Sequence, residues 1–181
     1  MGCQMNDIII LRGTRSAGSA SKEFVHQNGI RHRAFSVLLL DDDENIILQQ
    51  RSKNKYHSAG LWSNACCGHP RPGERTSVAA RRRLGEELGV GVRSLQLCFR
   101  TDYRVHFSNG LIENEHVYVF VGRQEGAIDF DPSEVEAVRS VEPALFFCDV
   151  RRRPEKYTYW LRCYVAGHQS ELELALASPS R

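Results

Sequence analysis

Gly68-His69-Pro70-Arg71-Pro72-Gly73-Glu74 is followed, after seven residues, by Arg82-Arg83-Leu84-Gly85-Glu86-Glu87-Leu88-Gly89-Val90. Between the two runs, the spacing predicts a helix over 76–88. Val78, Ala79, Leu84 and Leu88 make a one-sided apolar stripe, and Gly89 stands where a helix ends in a left-handed cap. Taken alone, the charges describe a solvated helix whose pairs Arg82–Glu86 and Arg83–Glu87 sit one turn apart.

Working outward, 35–40 and 46–50 read as two strands around the polar turn Asp41-Asp42-Asp43-Glu44-Asn45. The segment 52–74 has almost no periodicity and reads as a long loop, a type that is usually functional inside a compact domain. Downstream, 95–105 and 112–121 are strands around Ser108-Asn109-Gly110. Asp131-Pro132-Ser133-Glu134 suits a helical turn, 135–141 a strand, and 143–151 and 157–166 helices. Residues 1–21 form an N-terminal extension, expected to be partly mobile because 1–7 and 12–21 are small and polar. The tail 169–181 is expected to fray. There is no repeat and no linker, so the 181 residues read as a single α+β domain with helices packed on a mixed sheet.

Composition narrows the function classes. Hydrophobic residues make up 41% and charged residues 25%, with a net charge of +2, ordinary for a globular chain. No basic stripe points to nucleic acid, and no run approaches the roughly 20 apolar residues of a membrane span. The six cysteines come without a secretion signal and read as reduced thiols in the cytoplasm.

Within the long loop, Cys67 and His69 can face one cavity; the plain alternative is a buried thiol beside a surface histidine. In Glu113-Asn114-Glu115, strand alternation puts both carboxylates on one face, continued by Val117, Val119 and Val121. Two carboxylates on an apolar stripe need a metal or a shared proton, unless they lie at a solvated strand end. His26, His32 and His69 would complete a donor set for a borderline divalent ion; His57, His106, His116 and His168 read as structural. Lys22, Arg51, Lys55 and Arg83 could hold phosphate oxygens, although surface cations are common. Trp160 is either core or a face for a cation.

The first stretch resembles the Nudix box, a loop–helix–loop that holds Mg²⁺ on a diphosphate. One departure is informative: Arg83 stands where hydrolytic members carry Glu. With Ile30-Arg31-His32-Arg33-Ala34-Phe35-Ser36, Gly60-Leu61-Trp62-Ser63-Asn64, Cys66-Cys67-Gly68-His69-Pro70 and Glu113-Asn114-Glu115, the chain from about Lys22 to Tyr164 is similar to the type I isopentenyl-diphosphate delta-isomerases. That resemblance implies a Nudix-like fold, with a mixed sheet between helices. It implies interconversion of isopentenyl and dimethylallyl diphosphate through a tertiary carbocation, for isoprenoid precursor synthesis. Cys67 and Glu115 would be the catalytic pair, with Tyr103 beside the Glu. One divalent ion (Mn, Zn or Mg) would sit on His26, His32, His69, Glu113 and Glu115. Glu87 would hold a Mg²⁺ that arrives with the diphosphate, Lys22, Arg51, Lys55 and Arg83 would hold the diphosphate itself, and Trp160 would stand beside the reacting carbons. The expected partner is that small molecule alone, without nucleic acid or membrane, for a monomer or weak dimer. The alternative is a Nudix hydrolase of an isoprenoid or nucleoside diphosphate, which Arg83 argues against. A structural zinc module is disfavoured by the scattered ligands.

Overall fold

Phe35-Ser36-Val37-Leu38-Leu39-Leu40 lies at the centre of a nine-stranded mixed sheet. The computed structural model describes residues 6–177; expectations placed on 1–5, Cys3 included, and on 178–181 lie outside them. In chain order come β1 (Asp7–Arg12), β2 (Arg15–Ser21), α1 (Lys22–Gln27), β3 (His32–Leu40), β4 (Ile46–Arg51), β5 (Trp62–Asn64) and β6 (Cys66–Gly68). They are followed by α2 (Thr76–Leu88), β7 (Gly91–His106), β8 (Ile112–Glu125), β9 (Val135–Val141), α3 (Pro143–Arg152), a 3₁₀ turn (Pro154–Lys156), α4 (Tyr159–Gly167) and α5 (Gln169–Ala177).

β3 is apolar on both faces because both are covered. Phe35, Val37 and Leu39 pack with Ala79, Ala80, Leu84 and Leu88 of α2. Ala34, Leu38 and Leu40 face the other way, onto Phe146, Leu161, Tyr164 and Leu172 of α3, α4 and α5. The sheet is thus sandwiched between α2 and the C-terminal helices. β3 runs parallel to β8 over its whole length, with His32 opposite Glu115, and antiparallel to β6, with Ser36 opposite Cys67.

α2 begins and ends where the spacing predicts. Gly89 takes φ 66°, and a Cβ there would stand 2.4 Å from the Asp129 carbonyl oxygen, so only glycine closes this helix without strain. Both predicted charge pairs form. One stripe residue differs: Val78 is 51% exposed, and Ala80 takes the buried position, in line with Leu84 and Leu88.

Three expectations are corrected. Within the polar segment 12–21, Arg12 ends β1 and Arg15–Ser21 form β2, paired antiparallel with it; backbone hydrogen bonds form this ribbon, so its composition gives little sign of it. The segment 52–74 is not wholly loop. β5 and β6, three residues each, pair with β4 and β3 and are too short to show periodicity. The tail from Gln169 is helical to Ala177, because Leu172 and Leu176 are buried against the core.

Candidate active site

The sheet register assembles the site. Strand alternation carries Glu113 and Glu115 of β8 onto the face of Val117, Val119 and Val121, which lie in the core beneath the C-terminal helices. Both carboxylates are buried, 6% exposed each. β3 and β7 flank β8 and bring His32 and Tyr103 directly opposite Glu115. β6 lies on the other side of β3 and ends in Cys67-Gly68, with His69 just beyond. A side chain at Gly68 would meet the Phe35 ring at 3.0 Å, so glycine lets β6 lie close to β3.

Donor atoms of His26, His32, His69 and Glu115 lie within 4.8 Å of one another. His32 Nδ1 is 2.8 Å from the Ile30 carbonyl oxygen, a contact that needs a proton on Nδ1 and turns Nε2 into the site. That Nε2 faces His26 Nε2 at 3.2 Å and Glu115 Oε1 at 3.3 Å; His69 Nε2 is 2.9 Å from the same Oε1. Burial, then the neighbouring imidazoles, push His26 down to about 2. Burial also takes His69 down to about 4, against the pull of Glu115. Burial opposes charge on Glu115 as well, yet contacts with His32 and His69 hold it well below the usual carboxylate range. Three imidazole nitrogens gathered around one carboxylate oxygen suit a borderline divalent cation. Glu113 stands beside this group, engaged elsewhere. Tyr103 donates from one hydroxyl to Glu115 Oε2 at 2.7 Å and Glu113 Oε2 at 3.0 Å. His57 Nε2 lies 2.9 Å from Glu113 Oε1.

Cys67 sits in a small polar cage. Its Sγ is 3.2 Å from Ser36 Oγ, which in turn is 2.8 Å from Tyr164 Oη; it is also 3.2 Å from Asn64 Nδ2. Burial pushes the thiol up to about 12, only partly offset by Ser36 and Asn64. It is protonated at neutral pH. Trp160 Nε1 donates to Ser63 Oγ at 3.0 Å and Asn64 Oδ1 at 3.1 Å, which satisfies the buried indole N–H and fixes its ring.

One cleft of about 280 Å³ is lined by Cys67, His69, Tyr103, Glu113, Glu115 and Trp160, and also by Lys22, Arg51, Lys55, Arg83 and Glu87. Every residue singled out in the sequence is therefore on this cleft or, for His26 and His32, in the donor group. Lys22 Nζ lies 4.8 Å over the Tyr56 ring, and Arg51 is 5.3 Å over Trp160. Arg83 Nη2 is 2.5 Å from Glu87 Oε1, and Gln49 Nε2 donates to Glu87 Oε2 at 3.0 Å. Glu74, the acidic residue that opens the box, is held by Arg82 through two contacts of 2.8 and 3.0 Å.

The sequence reading missed His57, Glu134 and Gln49. His57, expected to be structural, stacks its ring on Phe107 at 4.1 Å and also lines the cleft. Its place two residues after Lys55, in a loop already marked as functional, was the available signal. Gln49 follows a buried apolar run, and nothing in its type separates it from a strand-end polar residue.

The NUDIX domain model matches residues 30–162. An isopentenyl-diphosphate Delta-isomerase 2 from Aromatoleum aromaticum is 44% identical over 159 residues, covering 87% of this chain and 84% of the relative. An isopentenyl-diphosphate Delta-isomerase from Burkholderia multivorans is 42% identical over 163 residues, covering 89% and 92%. Among solved structures, a protein of Deinococcus radiodurans aligns with a TM-score of 0.70 at 16% identity, over 88% of this chain and 97% of that one. A MutT protein from Methanosarcina mazei Go1 aligns with a TM-score of 0.64 at 16% identity, over 79% and 96%. At such identity these two speak for the fold alone. Sequence, fold and relatives agree: the chain belongs to the NUDIX domain family and, within it, to the isopentenyl-diphosphate Delta-isomerases.

Proposed function

We propose that this chain interconverts isopentenyl diphosphate and dimethylallyl diphosphate, acting as one Nudix-type isomerase domain in isoprenoid precursor synthesis. The observation that carries this reading is that a single cleft is lined by the Cys67 thiol, the Glu115 carboxylate and the cations Lys22, Arg51, Lys55 and Arg83. Moving a double bond by one carbon needs a proton added at one end and another removed from the neighbouring carbon. A protonated thiol and an ionised carboxylate are one donor and one acceptor, and the reverse reaction exchanges their roles. The pair requires opposite faces of the alkene, which lies between them.

The remaining residues support this chemistry. Tyr103 orients Glu115 and offsets its charge through the shared hydroxyl. Trp160, locked by Ser63 and Asn64, offers a ring face to the developing cation, worth on the order of 0.5–2 kcal/mol in a dry site. Lys22, Arg51, Lys55 and Arg83 bind the diphosphate, and this remote binding energy positions the five-carbon chain without entering the bond changes. Arg83 in place of a box carboxylate supports isomerisation over hydrolysis.

His26, His32, His69 and Glu115, with Glu113 adjoining, would hold one divalent ion (Mn, Zn or Mg). A bound ion there would fix the Glu115 carboxylate and shift its proton affinity. Glu87 would serve a Mg²⁺ that arrives with the diphosphate, its oxygen donors suiting a hard cation. No helix among the described residues is long and apolar enough to cross a membrane. The free thiols at Cys66, Cys67, Cys98, Cys148 and Cys163 accord with work in the cytoplasm on a small molecule, as a monomer or weak dimer.

The test is incubation of the purified protein with isopentenyl diphosphate and Mg²⁺ in heavy water. Dimethylallyl diphosphate carrying deuterium in its new methyl group is the expected product. Release of phosphate without any isomer would favour the hydrolase instead.

A further inference from the structure

Glu134, at the turn that leads into β9, was not among the phosphate or metal residues read from the sequence. Its carboxylate lines the cleft and bridges two of the cations assigned to the diphosphate. One oxygen pairs with Lys55 Nζ, and the other is 3.4 Å from Arg83 Nη2. Backbone contacts hold it there. The Glu134 and Val135 N–H groups donate to the Asp131 carbonyl at 3.0 and 2.9 Å, and Ser133 N–H donates to Asp131 Oδ1 at 2.8 Å. This turn is tied to the neighbouring elements: Ser52 N–H donates to the Glu134 carbonyl at 3.0 Å, and Asp131 N–H to the Glu87 carbonyl at 2.9 Å. Three carboxylates, Glu86 and Glu87 of α2 and Glu134 from this turn, converge on the Arg83 guanidinium, and Glu134 alone of the three also pairs with Lys55.

This arrangement treats two ligands differently. A bare diphosphate entering the cleft must compete with Glu134 for Lys55 and Arg83, and it meets a like charge. A diphosphate carrying a divalent ion brings its own positive charge, which Glu134 attracts, and oxygen ligands suit such an ion. Resting on the diphosphate reading above, we infer that Glu134 is a specificity-determining counter-ion that makes the cleft favour the divalent-loaded diphosphate over the bare one.

The test is calorimetric titration of the full chain with inorganic diphosphate, with and without Mg²⁺. Four proteins are compared: wild type, Glu134→Gln, Glu134→Asp and Glu136→Gln. Glu136 pairs with the exposed Lys53 at 3.2 Å, so the last variant removes the same charge outside the cleft. The Mg²⁺-free Kd divided by the Mg²⁺-loaded Kd should fall about tenfold in Glu134→Gln, chiefly because bare diphosphate binds more tightly, and stay unchanged in Glu136→Gln. Glu134→Asp, which keeps the charge but retracts it, should fall between and serves in place of Glu134→Gln should that variant not fold. An unchanged ratio in the Glu134 variants, or an equal fall in Glu136→Gln, overturns the inference while leaving the isomerase reading intact. Wild type that fails to bind diphosphate even with Mg²⁺ overturns both.

Discussion

Replacing Tyr103 by Phe removes one oxygen and little else, so its consequences can be worked from two distances. The hydroxyl donates to Glu115 Oε2 at 2.7 Å and Glu113 Oε2 at 3.0 Å. Both acceptors are almost wholly buried, and Glu115 is held well below the usual carboxylate range. A hydrogen bond to a charged group contributes roughly 1.5–3 kcal/mol, and one proton shared between two acceptors counts once. If that contribution is needed to hold Glu115 in its reactive pose, kcat falls roughly 10- to 150-fold. Tyr103 touches none of Lys22, Arg51, Lys55 or Arg83, so KM for the diphosphate substrate stays within about twofold. In chelator-treated protein the two carboxylates lose a shared donor, and Tm drops by roughly 3–12 °C for a chain of this size. Added divalent ion recovers most of that drop by neutralising the same pair. The assay combines steady-state isomerisation with thermal melts in chelator and in Mn²⁺ or Mg²⁺. A Tyr103→Phe protein with wild-type kcat and wild-type melting in chelator would refute the role given to this hydroxyl.

Cys67→Ala should lower turnover by at least ~10²-fold, the scale of one lost acid–base group, with Kd for Mg²⁺-loaded diphosphate unchanged by calorimetry; near-normal turnover would remove the thiol from the mechanism. Glu115→Gln should abolish isomerisation and weaken metal retention together, measured by metal analysis after dialysis; a variant that keeps its metal but loses activity would separate the two roles. Glu74 is held below the usual carboxylate range, first by its hydrogen bonds from Arg82. A depressed carboxyl contributes stability above its unfolded pKa and loses it as pH falls through its folded one. Wild type should therefore exceed Glu74→Gln by at most about 1 kcal/mol at pH 7, and urea melts should show that gap closing below about pH 4.

What the sequence disclosed and what it hid follow from the range of the interactions involved. α2 was legible to the residue because its signals are local: one-turn charge pairs, an apolar stripe and a glycine cap. The shared face of Glu113 and Glu115 was legible too, since strand alternation is local, but its burial was not. Their neighbours were another matter. His32 meets Glu115 through a parallel register, and Cys67 meets Ser36 through a three-residue strand, and neither pairing leaves a periodic trace. Family resemblance grouped His32 with Glu115 before the fold did, whereas the Ser36 partner of Cys67 comes from the fold alone. His57 and Glu134 escaped because each is ordinary in type and acquires its place from long-range contacts, His57 from stacking on Phe107 and Glu134 from ion pairs with Lys55, in the loop after β4, and with Arg83 of α2. The segment 12–21 misled for the reverse reason: its small polar residues suggest mobility, whereas backbone pairing with β1 orders it.

A crystal structure of the metal-loaded protein with dimethylallyl diphosphate decides whether Cys67 and Glu115 flank the substrate. The five-carbon chain is expected between Cys67 Sγ and the Glu115 carboxylate, each about 3–3.5 Å from a reacting carbon and on opposite faces, with the diphosphate against Lys55 and Arg83. A hydrocarbon chain bound away from either side chain, or with both on the same face, would contradict it.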